Sequence, residues 1–203
     1  MLSSQQIVFI HGGDTFATHD EYLAFLRDFE IDPPSPDIKK WKHSLIPKLG
    51  DSFELLAPEM PSKSNAKYSE WAIWFKKFIP YFKLNTIFIG HSLGGLFLAK
   101  YLSENTLPAP IRAAFLVAAP FDDEHADYSL ADFTLPANLS LLTKQVPEIF
   151  LYHSIDDPVV LFQDFEKYVQ ALPTAHVQTF TDRSHFNQPE FPELIKDIQL
   201  VSK

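Results

Sequence analysis

The chain has 203 residues, of which 46% are hydrophobic, 14% are aromatic and none is cysteine. These numbers predict one globular domain over residues 1–203, and they exclude disulfides, thiolate metal sites and a cysteine nucleophile. The net charge of −9 disfavours nucleic acid and anionic membrane surfaces as partners, because both repel an acidic protein. The first apolar run is four residues long and has no basic stretch before it. We therefore expect neither a signal peptide nor a membrane span, and a cytoplasmic location.

Apolar runs and helical patterns alternate along the first half of the chain. Residues 7–10 predict a buried strand, closed by His11-Gly12-Gly13. The next helix is expected to begin at Thr18 or Asp20, and the one after it at Ser35 or Asp37, ending near Gly50. Residues 53–57 predict a strand, and residues 68–79 predict a helix that stops before Pro80. The inner side of the first helix is expected to carry Tyr22, Leu23, Phe25, Leu26 and Phe29.

The second half continues the alternation. Strands are predicted at residues 86–90, 112–119, 148–153 and 177–180, and helices after Gly95 and at residues 139–146, 161–172 and 191–201. Residues 121–136 are acidic and show no clear periodicity. Because the strands are mostly continuous apolar runs, we expect an α/β fold with a doubly wound, mostly parallel sheet of about six strands and helices on both faces.

The motif with the most chemical content is Gly-His-Ser-Leu-Gly at residues 90–94. It lies between a predicted strand and a predicted helix, which is the setting that a G-x-S-x-G nucleophile turn requires. The motif alone arises often by chance, so its support has to come from other parts of the chain. It nominates Ser92 as a nucleophile.

A nucleophilic serine needs a base and an acid that orients the base. His185 follows the last predicted strand, and Asp156-Asp157 follows the strand before it. We prefer Asp157 as the orienting acid, because Pro158 fixes the turn after it. Turn-forming aspartates and a solvent-exposed histidine are the alternative interpretations of these two segments. The chain order Ser92, Asp157, His185 is the order of α/β hydrolases.

An oxyanion hole requires two backbone N–H donors near the nucleophile. Leu93 directly follows Ser92 and supplies one predicted donor. The second is expected from Gly13, with Asp14 as its neighbour, in the loop after the first strand. A plain turn at the end of the strand is the alternative interpretation of that loop.

Other site chemistry has little support in the sequence. The remaining histidines are scattered without a metal-binding motif, and there is no glycine-rich nucleotide-binding motif. We therefore predict no metal and no cofactor. Too few residues separate 119 from 148 for a large cap, so we expect a fairly open pocket, bordered by residues 31–50 and 121–136 and lined by Phe121 and Phe133. The expected partner is a small acyl substrate, and the sequence leaves the oligomeric state open.

These motifs resemble those of the α/β-hydrolase superfamily. More narrowly, they resemble its small branch of retinoblastoma-binding-protein-like serine hydrolases, through His11-Gly12-Gly13, residues 90–94, Asp156-Asp157-Pro158 and His185-Phe186. The resemblance implies a catalytic triad of Ser92, Asp157 and His185 and no cofactor. Two features depart from the family pattern. Ser184 stands where glycine is usual, and the cysteine of the retinoblastoma-binding motif is missing, so that partner is not carried over.

The sequence therefore predicts a serine hydrolase that cleaves carboxylic esters or related acyl compounds through an acyl-enzyme intermediate. Two alternatives remain open at this point. The first is a non-catalytic binding protein on the same fold, because a fold does not fix a function. The second is an acyltransferase that uses the same three residues.

Overall fold

The computed structural model describes residues 4–30 and 40–203. Its strands form one sheet in the order β2-β1-β3-β4-β5-β6, and all five pairings are parallel. This confirms the predicted fold class. The strands are β1 (Gln5–Ile10), β2 (Phe53–Leu56), β3 (Thr86–His91), β4 (Ile111–Val117), β5 (Ile149–Ser154) and β6 (His176–Phe180).

Seven α-helices lie within the described residues: α1 (His19–Asp28), α2 (Leu45–Leu49), α3 (Tyr68–Lys76), α4 (Leu93–Glu104), α5 (Ser140–Gln145), α6 (Phe162–Ala171) and α7 (Pro192–Val201). Short 3₁₀ turns occupy Trp41–Ser44, Lys63–Asn65, Ile79–Tyr81 and Ala131–Phe133. The predicted helix starts at Ser35 and Asp37 lie outside the described residues. None of these helices is long and apolar enough to cross a membrane.

The sheet separates two layers of buried side chains. Successive residues of a strand point to opposite faces, so Phe88 joins one layer while Ile87 and Ile89 join the other. The first layer packs against α3, α4, α5 and α6, and the second packs against α2, α7 and the turn at Trp41–Ser44. The four inner strands are buried on both faces, as predicted. The edge strand β6 is not, and Val177 is 45% exposed.

Helix α1 differs from its prediction. Thr18 is the N-cap and forms a capping box with Glu21, which confirms one of the two predicted helix starts. However, none of its residues is buried, and Leu26 and Phe29 of the expected inner side are 47% and 57% exposed. Its apolar face lies at the rim of a cavity rather than over the core.

The site follows from where the strand order reverses. The chain passes from β1 outward to β2 and then returns to β3 on the other side of β1. Ligands of open α/β sheets bind at such a reversal, beyond the carboxyl ends of the strands. The register pairs Ile10 with Gly90. The loop after β1 and the turn after β3 are therefore brought side by side.

Gly94 allows α4 to begin against the end of β1. A Cβ atom at this position would lie 2.3 Å from the carbonyl oxygen of Ile10 and 2.5 Å from that of His11. Both contacts are with backbone, which cannot move aside without breaking the sheet. Any side chain here would push α4 away from β1.

We expect Gly94→Ala to lower the free energy of unfolding by at least about 2 kcal/mol, because overpacking against fixed backbone is destabilising. Urea denaturation measures the loss. Gly12→Ala is the matched control, since its Cβ would lie 3.0 Å from Ser92 Cβ and 3.4 Å from the His91 carbonyl oxygen, distances that a shift of a few tenths of an ångström relieves. Equal losses in the two variants would contradict this account of Gly94.

Candidate active site

Ser92 occupies a strained turn between β3 and α4. Its backbone has φ 55° and ψ −128°, in a region that costs a non-glycine residue about 1–3 kcal/mol. Its N–H donates to the carbonyl of Val117 at 2.8 Å, and its own carbonyl accepts from Gly95 N–H at 2.8 Å. Hydrogen bonds on both sides of Ser92 therefore hold the turn, which places the serine at the carboxyl end of the central strand β3.

Asp157 and His185 meet in the structure. His185 Nδ1 lies 2.8 Å from Asp157 Oδ2, and the Asp157 side chain is fully buried. The other carboxylate oxygen, Oδ1, accepts from the N–H groups of Val159 and Val160 at 2.8 and 3.1 Å. Beneath this turn, buried His153 hydrogen-bonds through Nε2 to the Val160 carbonyl at 3.0 Å. Because both oxygens have fixed donors, the carboxylate orients the His185 ring.

Asp156 has a different place. It is exposed, and its Oδ1 accepts from Ser184 N–H at 3.0 Å and from the Ser154 hydroxyl. Ser154 Oγ in turn accepts from Arg183 N–H at 3.1 Å. The hydrogen bond from Ser154 lowers the pKa of Asp156. Asp156 thus ties the turn after β5 to the loop after β6, and it does not contact the His185 ring.

Two further side chains hold the His185 loop from the opposite side. His91 Nε2 lies 2.9 Å from the His185 carbonyl, and Trp41 Nε1 donates to the Phe186 carbonyl at 2.8 Å. Burial lowers the pKa of His91 to about 3, so its imidazole is neutral at pH 7 and Nε2 donates. In the sequence, Trp41 falls within the helix predicted to end near Gly50, and that pattern does not predict this contact. A tryptophan near a loop whose structure is unknown gives no signal of its partner.

The loop after β1 lies against Ser92. Met60 N–H donates to His11 Nε2 at 2.8 Å, so the His11 proton is on Nδ1, which donates to the Gly12 carbonyl at 2.6 Å. Asp14 N–H donates to the carbonyl of Lys63 at 2.8 Å. Because this bond occupies the Asp14 N–H, Gly13 is the better candidate of the two for the second N–H donor of the predicted oxyanion hole.

Two cavities meet at Ser92. The first has a volume of about 440 Å³, and Ser92 and His185 both line it without hydrogen-bonding to each other. The second has a volume of about 240 Å³ and is lined by Leu93. Both cavities share Gly13, Asp14, Ser92 and Val159. The first, here called the lysine cavity, has Lys40, Lys42 and Lys63 on its wall, and the second, here called the apolar cavity, has Phe16, Phe25, Pro120, Tyr128, Leu130 and Val160.

The segments expected to border the site do so in part. Residues 40–42 line the lysine cavity, and residues 127–130 contribute to the apolar cavity. The individual aromatic residues were predicted wrongly. Phe133 is fully buried against Trp71, and Phe121 packs on Tyr168, so neither lines a cavity. Within the described residues, no cluster of three or more His, Asp or Glu side chains is placed to hold a metal ion.

A parallel six-stranded sheet with Ser92 on a strand–helix turn and an Asp157–His185 pair beyond neighbouring strands defines an α/β hydrolase. Residues 35–191 match the serine hydrolase family, and the chain belongs to that family. The chain is similar to the rat serine hydrolase RBBP9, with 28% identity over 149 residues, covering 72% of this chain and 77% of the rat protein.

Solved structures share the fold at lower sequence identity. The ydeN gene product of Bacillus subtilis superposes with a TM-score of 0.79 at 18% identity, covering 98% of this chain and 100% of that one. Est1E of Butyrivibrio proteoclasticus, solved with ferulic acid bound, superposes with a TM-score of 0.64 at 12% identity, covering 99% and 91%. At these identities the likeness supports the fold alone.

The backbone of Ser184 is strained, and relief of this strain should change the stability of the protein. Its φ of 46° is left-handed, which accounts for the glycine usual at this position. We expect Ser184→Gly to raise the free energy of unfolding by roughly 0.5–1 kcal/mol, because relief of about 1–2 kcal/mol of strain exceeds the entropy that glycine adds to the unfolded chain. Urea denaturation measures the change.

Ser140→Gly is the control, because Ser140 is helical and glycine there is expected to destabilise. A loss of stability in Ser184→Gly would show that the turn is not strained as described.

Proposed function

We propose that this serine hydrolase cleaves carboxylic esters or related acyl compounds, with Ser92 as nucleophile, His185 as general base and Asp157 as its orienting acid. Ser92 Oγ attacks the acyl carbon while its proton passes to His185 Nε2. His185 then protonates the leaving group, which departs as an alcohol. Water adds to the acyl-enzyme by the same route in reverse, and releases the acid.

The single observation that carries the proposal is the 2.8 Å contact between His185 Nδ1 and Asp157 Oδ2. An ionised carboxylate only accepts hydrogen bonds, so the proton of neutral His185 lies on Nδ1. The Nε2 lone pair is then free to take a proton. His185 and Ser92 line one cavity. The hydrogen bond between a catalytic serine and its histidine commonly tightens only once substrate is bound.

Two backbone donors are proposed for the oxyanion. Leu93 is the first residue of α4, whose N-terminus carries partial positive charge. Gly13 lines both cavities, as Ser92 does. Donors at these positions would stabilise the negative charge that develops on the acyl oxygen.

Ser92→Ala is expected to lower kcat on 4-nitrophenyl butyrate by roughly 10³-fold or more, because no covalent intermediate forms. It is also expected to abolish labelling by a fluorophosphonate probe. Release of 4-nitrophenol and in-gel fluorescence measure the two effects. Ser64→Ala, which removes a different hydroxyl from the lysine cavity, is expected to keep the labelling.

Full activity in Ser92→Ala would contradict the proposed nucleophile. A wild-type chain that neither reacts with the probe nor cleaves esters would instead favour a binding protein on this fold. Transfer of the acyl group to an added alcohol in preference to water would favour an acyltransferase.

The two neighbouring aspartates should differ sharply. Asp157→Asn is expected to lower kcat by roughly 10³–10⁴-fold, because an amide facing Nδ1 favours the wrong histidine tautomer. Asp156→Asn keeps an acceptor oxygen for Ser184 N–H and is expected to lose less than about tenfold. Steady-state kinetics on the same ester, with thermal unfolding as a folding check, compares them. Equal losses would contradict the assignment of Asp157.

A further inference from the structure

The two cavities indicate which way a substrate lies across the proposed site. His185 must protonate the leaving group, so the leaving group has to lie on the His185 side of Ser92. His185 lines the lysine cavity and is not part of the apolar cavity, whereas Leu93 lines only the apolar cavity. The acyl chain is thereby assigned to the apolar cavity and the leaving group to the lysine cavity. This step rests on the proposed function.

The walls of the apolar cavity suit an uncharged acyl group. Phe16, Phe25, Leu130 and Val160 supply apolar surface, and Leu130 and Val160 are almost fully buried. A negatively charged group placed among them would lose its hydration and would face the carboxylates of Asp14 and Asp127, which also line this cavity, so its binding is costly. The volume of about 240 Å³ also limits the length of the chain that fits.

The lysine cavity has the opposite character. Lys40, Lys42 and Lys63 lie on its wall, in a protein whose net charge is −9. Within the described residues, Lys42 has no ion-pair partner, and Lys63 has only a loose contact with Glu59 at 3.8 Å between two exposed side chains. Lys40 donates to the neutral amide of Asn187 at 2.9 Å. Among the residues that the structure describes, little carboxylate charge therefore offsets these ammonium groups.

The charges around Lys42 favour the binding of an anion. Burial, together with Lys40 and Lys63, lowers the pKa of Lys42, while Glu59 opposes this shift. Asp14 is the one carboxylate among the described residues that line the cavity, and it lies at the junction with the apolar cavity. It would repel an anion close to Ser92, and so favours an anion farther out, beside the lysines.

We propose that the substrate of this enzyme is an acyl compound with an uncharged apolar acyl group and an anionic leaving group, whose carboxylate or phosphate is held by Lys40, Lys42 and Lys63. The cations bind the part of the substrate that departs, so they act on leaving-group selectivity. They also draw anionic substrates toward the lysine side of the site.

Three butyrate esters with closely similar phenol leaving groups test the proposal: those of 3-hydroxyphenylacetamide, 3-hydroxyphenylacetate and 3-hydroxybenzylphosphonate. We expect wild-type kcat/KM to be at least about fivefold higher for one or both anionic esters than for the neutral amide at low salt. The preference should shrink as salt screens the charges. The larger of the two anionic ratios distinguishes a carboxylate from a phosphate-like group.

The variants Lys42→Gln and Lys63→Gln are expected to lower the anionic-to-neutral ratio by about three- to fivefold each, as loss of one nearby cation predicts. Lys63 is exposed, so its substitution remains informative if Lys42→Gln fails to fold. Lys144→Gln on α5, which is exposed and lines neither cavity, makes the same change in net charge and is expected to leave the ratio unchanged.

A charge on the acyl side should have the opposite effect. Monophenyl adipate is expected to be cleaved at least about tenfold more slowly than phenyl hexanoate, because its carboxylate enters the apolar cavity. A preference for monophenyl adipate would overturn the assigned direction. An anionic-to-neutral ratio near one, or a ratio that Lys42→Gln and Lys63→Gln leave unchanged, would overturn the anion site.

These failures differ from failure of the proposed function. Cleavage of the neutral ester and fluorophosphonate labelling of Ser92 report on the proposed chemistry, while the ratios report on the lysines. A chain that cleaves no ester at all would overturn the proposed function, and this inference with it.

Discussion

The contact between Gly94 and the end of β1 is the constraint on which the site depends. Only a residue without a side chain lets α4 begin here, because a Cβ atom on Gly94 would lie 2.3 Å from the Ile10 carbonyl oxygen. This contact places the loop after β1 beside the turn that carries Ser92. The left-handed φ of Ser92 is then sustained by its hydrogen bond to Val117 and by α4, whose residues from 93 to 99 are all buried. Strain of this kind persists where surrounding structure fixes it.

The His185 loop is fixed in a comparable way from several directions. Ser184 and Phe186, on either side of the histidine, both have a left-handed φ. Asp156 holds Ser184 through its N–H, and Trp41 holds Phe186 through its carbonyl, while the Phe186 ring is fully buried. These contacts position the histidine before any ligand binds. Its proposed role as a general base requires such positioning by the surrounding residues.

The sequence predicted the inner strands well, because a strand covered on both faces leaves a continuous apolar run. It also placed Ser92, Asp157 and His185 after three different strands, and the structure brings Asp157 and His185 into contact. Contacts between residues far apart in the chain could not be predicted from the sequence. Trp41 and Phe186 are 145 residues apart, and a helical pattern indicates burial without naming a partner.

The misplaced side chains have a similar cause. Periodicity marks the apolar face of α1, but it does not say whether another element covers that face, and Leu26 and Phe29 stay exposed. Phe133 belongs to the segment expected to border the site, but its ring is buried against Trp71 and Tyr68. The lysine cavity could not be predicted from the sequence either, because Lys42 lies between α1 and α2 and Lys63 follows β2, and only the fold brings them to one wall.

The neutrality of His91 bears directly on the proposed chemistry. Its ring centroid lies 5.0 Å from that of His185. In the proposed reaction His185 gains a proton, and a second cation at this distance would oppose it by about 3 kcal/mol at an effective dielectric constant of 20. Burial lowers the pKa of His91 to about 3, so this repulsion is absent near pH 7. His91 therefore acts on His185 only as a hydrogen-bond donor to its carbonyl, and it fixes the loop without penalising the imidazolium.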